Sequence, residues 1–152
     1  IWADYAFPRQ PARLCWYGSP NSQQKHLYIG GVTAISCADF RTLNGFSNDY
    51  WGWGYEDHDL RLRMVANGLK AEARDGAYRA LPHAHSGMVS DGTKTEAGRR
   101  NRDRVETLHA EGFTAWQSDG LNSLTFHHLG TAPLQIDGRS VEQATLHRVR
   151  FT

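Results

Sequence analysis

The stretch Trp51-Gly52-Trp53-Gly54-Tyr55-Glu56-Asp57 constrains this chain more than any other. Tryptophans one glycine apart in a short loop cannot easily both be buried, and glycines leave such a loop free to move. Glu56, Asp57 and Asp59 then occupy the first turn of a predicted helix, where the macrodipole favours acids. Leu60 and Met64, with Leu62 and Val65 beside them, give that helix an apolar stripe, and Gly68 is its natural stop. Each part has a plain alternative. Acids at a helix start are commonplace and contribute roughly 0.3–1 kcal/mol each, and tryptophans often form a core pair. The functional alternative is a sugar platform followed by a carboxylate that takes a proton from a substrate hydroxyl once the loop excludes water. Crowding all these parts into one short string favours a site.

Composition limits what such a site can serve. A chain of 152 residues, 39% hydrophobic and 22% charged, is one domain's worth of globular protein. Its 17 basic residues nearly cancel 16 acids, for a net charge of +1, which argues against a nucleic-acid binder or a polybasic membrane anchor. No apolar run reaches membrane-spanning length, and no signal-peptide pattern opens the chain. It begins at Ile1, so a processed or truncated protein is expected. Cys15 and Cys37 are too few for a disulfide framework and either pair or remain thiols. Arg99, Arg100, Arg102 and Arg104 form the one basic cluster, expected to be a solvated helix face rather than a phosphate site.

The local pattern predicts mixed α/β structure. Residues 1–26 read as loop, 27–36 as a strand interrupted by glycines, and 38–43 as a short helix stopped at Asn44-Gly45. Strands are predicted at 69–73 and 77–85, and a polar helix over about 95–110. From Leu121 to Phe151 two or three strands are predicted, with Asp137-Gly138 as a turn. His83 and His85 share one face of their strand and are candidate ligands for one metal ion; the alternative is a pair of partly exposed strand histidines. His127 and His128 face opposite ways and, like His26, His109 and His147, are read as structural.

Tyr28-Ile29-Gly30-Gly31-Val32, Asn44-Gly45-Phe46, the string from Trp51 to Asp59, and Ser118-Asp119-Gly120-Leu121-Asn122-Ser123-Leu124-Thr125 together resemble the C-terminal half of the β-1,4-galactosyltransferase family. The last of these resembles the family's late strand motif. The resemblance runs from about residue 4 to 150, and Asp4-Tyr5-Ala6-Phe7-Pro8 with His83-Ala84-His85 is most similar to the xylosylprotein branch. It implies a single domain over residues 1–152: the C-terminal portion of a nucleotide-sugar glycosyltransferase (GT-A) fold, a mixed sheet with flanking helices. It also implies inverting transfer of galactose from UDP-galactose to a sugar hydroxyl in β-1,4 linkage, assisted by Mn²⁺. The acceptor would be a xyloside, N-acetylglucosamine or another glycan terminus. Asp57 would be the base and Glu56 would hold loop and acceptor; Tyr28, Gly31, Trp53, Gly54 and His58 would line the donor and acceptor sites; His83 and His85 would hold the metal. The compartment would be the Golgi lumen in a eukaryote and the cytoplasm in a bacterium. A non-catalytic carbohydrate-binding relative, or a transferase using a different UDP-sugar, are the alternatives.

The sequence departs from the family pattern in places. His58 stands where the family usually has a second Asp, and Tyr55 replaces a Gly or Arg. The Asp-X-Asp motif that supplies the third metal ligand is expected just upstream of Ile1, together with the nucleotide-binding half. Tyr28 matches a position where galactose-users carry Tyr and N-acetylgalactosamine-users a smaller aliphatic residue, because the phenol fills the space an N-acetyl group needs. UDP-galactose is therefore expected to be the better donor in a direct competition with UDP-N-acetylgalactosamine; the reverse preference would refute the role of Tyr28.

Overall fold

The computed structural model of the chain describes residues 2–4, 6–15, 29–74, 76–77 and 95–151. They fall into two compact units, Ile1–Asn122 and Ser123–Thr152. In the first, the stretch expected to be loop contains two strands, β1 (Trp2–Ala3) and β2 (Ala12–Cys15). Neither has a strand-like sequence period; both are made by their partners. β2 lies at the centre of a mixed three-stranded sheet, antiparallel to β3 (Val32–Ala34) and parallel to β4 (Glu72–Ala73). β1 pairs with β5 (Gly76–Ala77). The buried backbone at Ala12 needs hydrogen-bond partners, and Ala34 and Glu72 on the two neighbouring strands lie opposite it; the register shifts between Arg13 and Cys15. The predicted strands at 27–36 and 69–73 shrink to β3 and β4, while most of 77–85 lies outside the described residues.

The helices follow their sequence signals closely. Helix α1 (Cys37–Thr42) is capped by Ser36, whose Oγ accepts from Asp39 N at 3.0 Å, and the chain leaves it through Asn44 and Gly45 at positive φ. Cys37, at its first position, is a free and exposed thiol; the side chain of Cys15 lies outside the described residues. Helix α2 (Glu56–Ala66) begins at the predicted residue, and its Leu60 and Met64 join Ile29 and Leu43 in the core. Val65 is 62% exposed, so the apolar stripe is narrower than expected. Helix α3 (Glu96–Ala110) buries Gly98, Asn101, Val105 and Leu108, spaced to fall on one helical face.

The Ser118–Thr125 segment is not a strand. After a turn of 3₁₀ helix at Ala115–Gln117 it runs as turns, and the strand starts only at Phe126. Its backbone is drawn instead to the end of α1: Leu121 N donates to Asn44 O at 2.8 Å. A Cβ added at Gly120, where φ is +151°, would lie 1.8 Å from Asn44 O, so only glycine permits this approach.

One cation ties these pieces together. On α2, Arg63 Nε donates to Asp59 Oδ1 at 2.8 Å, and both side chains are 1% exposed. Arg63 Nη1 donates to Asp119 O at 2.7 Å and faces the carbonyls of Leu43, Asn44 and Gly45 at 3.4–3.5 Å, where positive charge complements the end of α1. Asp119 also accepts from Asn48 N at 2.9 Å, from the Ser47 hydroxyl, and from Arg104 Nη2 at 3.0 Å. Arg104 pairs in turn with Asp49 at 2.7 Å and lies over the Tyr50 ring.

The second unit is a hairpin of β6 (Phe126–Ile136) and β7 (Arg139–Phe151), closed at the predicted Asp137-Gly138. Both turn residues have positive φ, 49° and 74°, as a two-residue type I′ turn requires. The His128 and His147 rings, on adjacent strands, are 5.5 Å apart. No helix among the described residues is long and apolar enough to cross a membrane.

The cation network generates two expectations. Arg63→Met leaves Asp59 buried without its counter-charge and is expected to cost about 3–5 kcal/mol in urea unfolding. Asp119 behaves differently. Burial opposes its ionisation, but the hydrogen bonds from Ser47 and Asn48 and the Arg63 and Arg104 cations outweigh this and hold its carboxyl below the usual 3.8. A depressed folded-state pKa contributes stability that is present above the unfolded value and lost as pH falls through the folded one. The stability difference between the wild type and Asp119→Asn is thus expected to be full at about pH 5 and to close below about pH 4. Denaturant titrations across that range measure it.

Candidate functional site

Residues 47–55 connect α1 to α2 and are held at three points. The Asp119 carboxylate and Gly120 O fix Ser47 and Asn48 at the start, with Asn48 Nδ2 donating to Gly120 O at 2.9 Å. In the middle, Asn101 Nδ2 of α3 faces the carbonyls of Trp51, Trp53 and Gly54. At the end, Gly54 N donates to Glu56 Oε2 at 3.1 Å. Tyr55, the residue before α2, is left-handed with φ 74° and makes no side-chain cap. Trp51 and Trp53 are 64% and 47% exposed. The core-pair alternative is therefore excluded, and both indoles stand at the surface on an anchored backbone.

Beside the loop lies a cavity of about 290 Å³, lined by Gly31, Phe40, Phe46, Glu56, Asp57 and Leu60 among others. It is at the small end of the range for small-molecule sites, about 300–1,000 Å³. The fold thus brings together three predicted site residues from two separate segments: Gly31, which follows the buried Ile29, and Glu56 and Asp57 at the start of α2. Asp57 is half-buried, and its Oδ1 accepts from His58 N at 2.7 Å. Its carboxylate is therefore a local acceptor as well as a wall of the cavity. Trp53 and Gly54 are on the adjoining loop but do not line the cavity, and neither does His58, which is exposed on α2. Desolvation and then the Arg61 cation lower the His58 pKa, against the opposing effect of Asp57 and Asp59.

On the far side of the loop an open groove of about 600 Å³ runs along α3, lined by Asp49, Trp51, Arg104, Thr107, Leu108 and Glu111 among others. An exposed indole beside carboxylates and a hydroxyl is chemically suited to a polyol, offering one face for C–H groups and acceptors for O–H groups. Tyr28, His83 and His85 lie outside the described residues. Among the described residues, no three His, Cys, Asp or Glu side chains are grouped so as to hold a metal ion.

Sequence reasoning missed Asn101, Arg104 and Asp119. Arg104 was expected on a solvated face with Arg99, Arg100 and Arg102; the first two are exposed and Arg102 pairs with Asp103 at 2.7 Å, but Arg104 turns inward. Its one available signal was spacing, since Asn101, Arg104, Val105 and Leu108 fall on one helical face. Asp119 had no local signal, because its partners lie 15 to 72 residues away.

A family model described as the N-terminal domain of galactosyltransferase matches residues 21–86. β-1,4-Galactosyltransferase 4 of Homo sapiens is 39% identical over 99 residues, covering 65% of this chain and 27% of that protein. β-1,4-Galactosyltransferase 1 of Homo sapiens is 39% identical over 105 residues, covering 67% and 24%. The chain thus spans about a quarter of the length of these relatives. Among solved structures, Drosophila β1,4-galactosyltransferase 7 in complex with manganese, UDP-Gal and xylobiose superposes with a TM-score of 0.59 at 22% identity, over 97% of this chain and 60% of that one. Its catalytic domain with xylobiose gives 0.54 at 20%, over 82% and 50%. At such identities the likeness shows the fold, which is that of GT-A galactosyltransferase catalytic domains. Fold, motif string and sequence relatives agree: the chain is similar to the β-1,4-galactosyltransferase family.

Proposed function

We propose that this chain is the acceptor-side part of an inverting galactosyltransferase that moves galactose from UDP-galactose to a hydroxyl of an acceptor sugar, in β-1,4 linkage. The observation that carries this is the cavity in which Gly31, Glu56 and Asp57 meet beside an anchored loop with two exposed tryptophans. In the proposed step the acceptor oxygen attacks the anomeric carbon of galactose. The bond from that carbon to the diphosphate breaks, its electron pair leaves with UDP, and the configuration inverts. Asp57 takes the acceptor proton as the new bond forms. Glu56 keeps the loop end in place through Gly54 N, and Gly31 lets a sugar lie against the backbone. Trp51 and Trp53 offer stacking faces for the sugars, and Tyr28 sets the preference for galactose.

Mn²⁺ is part of the proposal, with His83 and His85 as ligands alongside a carboxylate from outside this chain; it would neutralise charge on the departing diphosphate. Drosophila β1,4-galactosyltransferase 7, bound to manganese, UDP-Gal and xylobiose, supports this choice of metal and donor at the level of the fold. The acceptor class is a xyloside, N-acetylglucosamine or another glycan terminus. The exposure of both tryptophans favours a second reading as well, a carbohydrate-binding relative without transfer.

Asp57→Asn separates the two. It keeps the shape of the side chain but removes the base, so turnover is expected to fall about 10²–10⁴-fold while UDP-galactose binding by calorimetry is retained. Unchanged turnover would remove Asp57 from the mechanism. Glycan binding by a wild type that never transfers galactose would favour the binding protein.

A further inference from the structure

Asn101 is 0% exposed, yet among the described residues its side-chain hydrogen bonds run to the Trp loop. Nδ2 lies 3.0 Å from Gly54 O, 3.3 Å from Trp51 O and 3.5 Å from Trp53 O. Two N–H bonds are thus shared among three carbonyls, and this settles the orientation of the amide, because an oxygen in that place would face three like dipoles. Oδ1, on the other side, is buried without a hydrogen-bond partner among the described residues. An amide in a core position that leaves its oxygen unsatisfied is a costly way to fill space. The loop also presses against the same helix: a Cβ added at Gly52 would stand 3.1 Å from Ala97 Cβ. From the next position on α3, Arg100 Nη2 reaches Trp51 O at 3.4 Å.

Three carbonyls held at one point restrain the peptide planes that follow Trp51, Trp53 and Gly54, and with them the backbone from which the Trp51 and Trp53 side chains leave. They also fix the Gly54 N–H that holds Glu56, next to Asp57. We propose that Asn101 is a positioning residue for acceptor use: by gripping the Trp loop from α3 it sets the tryptophan faces and the Glu56–Asp57 edge in one productive arrangement. This rests on the transferase assignment for its effect on rate, though not for its effect on the loop.

The test compares Asn101→Ala and Asn101→Asp in the intact protein. Asp keeps the volume but replaces the donor with an oxygen, whereas Ala empties the site. A clamp that works by donation predicts that Asn101→Asp is at least as damaging as Asn101→Ala; space-filling predicts the reverse order. Hydrogen exchange read by mass spectrometry is expected to accelerate in peptides covering residues 50–56, with the rest of α2 and α3 unchanged. For acceptor transfer, kcat/KM measured below the unfolding transition is expected to fall about 10–100-fold in both variants, as for a displacement near 1 Å, and the melting temperature is expected to drop more for Asn101→Asp, whose buried carboxylate has no counter-charge. Unaltered exchange in the loop overturns the clamp. Loosened exchange with wild-type kcat/KM overturns its role in acceptor use. If the wild type itself transfers no galactose, the transferase assignment fails and acceptor positioning with it, and the exchange arm alone decides the clamp.

Discussion

The guanidinium of Arg63 is the interaction on which the rest of the first unit depends. It is almost fully buried, reaches an acid on its own helix, and spreads its remaining donors over the end of α1 and the Asp119 turn. A buried cation is tolerated only when its donors are satisfied and a counter-charge is near. Meeting that condition here requires α1, α2 and the segment after α3 to converge. The apolar cluster of Ile29, Leu43, Leu60 and Met64 supplies area, but apolar contact is non-directional. Fixed donor geometry is what specifies how these elements meet. Burial then raises the Asp59 pKa, opposed by the Arg63 hydrogen bond, while Asp119, richer in donors, is shifted the other way. Two carboxylates on one cation differ because their surroundings differ.

The network also explains why the site sits where it does. Asp119 anchors the loop at Ser47 and Asn48, and Arg104 joins the same carboxylate to Asp49. The entry to the Trp loop and the helix that leaves it thus share one electrostatic centre, through Asp119 on one side and Arg63 on the other. The loop between them is short and anchored, so exposed indoles can be displayed without collapsing onto the core. Tyr50 marks the boundary, with its ring beneath Arg104 and its phenol pushed to a higher pKa by burial and by Asp59.

How much of this was legible in the sequence follows from the range of the interactions. The three helices were readable because capping, dipole complement and apolar spacing are local: Ser36 before α1, the acids opening α2, and the buried face of α3. So was the hairpin turn at Asp137-Gly138, which two adjacent residues determine. The strands β1 and β2 were missed because short strands take their identity from partners far along the chain, as Ala12 does from Ala34 and Glu72. The Ser118–Thr125 motif was expected as strand, yet its glycine serves a close approach to Asn44 O. At the candidate site, the motif string singled out Glu56 and Asp57 and the resemblance Gly31, while their meeting at one cavity, like the contacts of Asn101, Arg104 and Asp119, appears only once separate segments are folded together.

The acids that open α2 have local partners. Glu56 accepts from Gly54 N in the loop, and Asp57 from His58 N in the first turn, so each carboxylate makes a local hydrogen bond where the helix begins. Tyr55 cannot do so, having a left-handed backbone and no side-chain cap, a conformation that costs a non-glycine residue roughly 1–2 kcal/mol. That sharp turn lets the chain reverse from an exposed loop into a helix whose first acids border a cavity. The local hydrogen bonds of the carboxylates are thereby the means of their placement, holding Glu56 and Asp57 at the edge of the cavity.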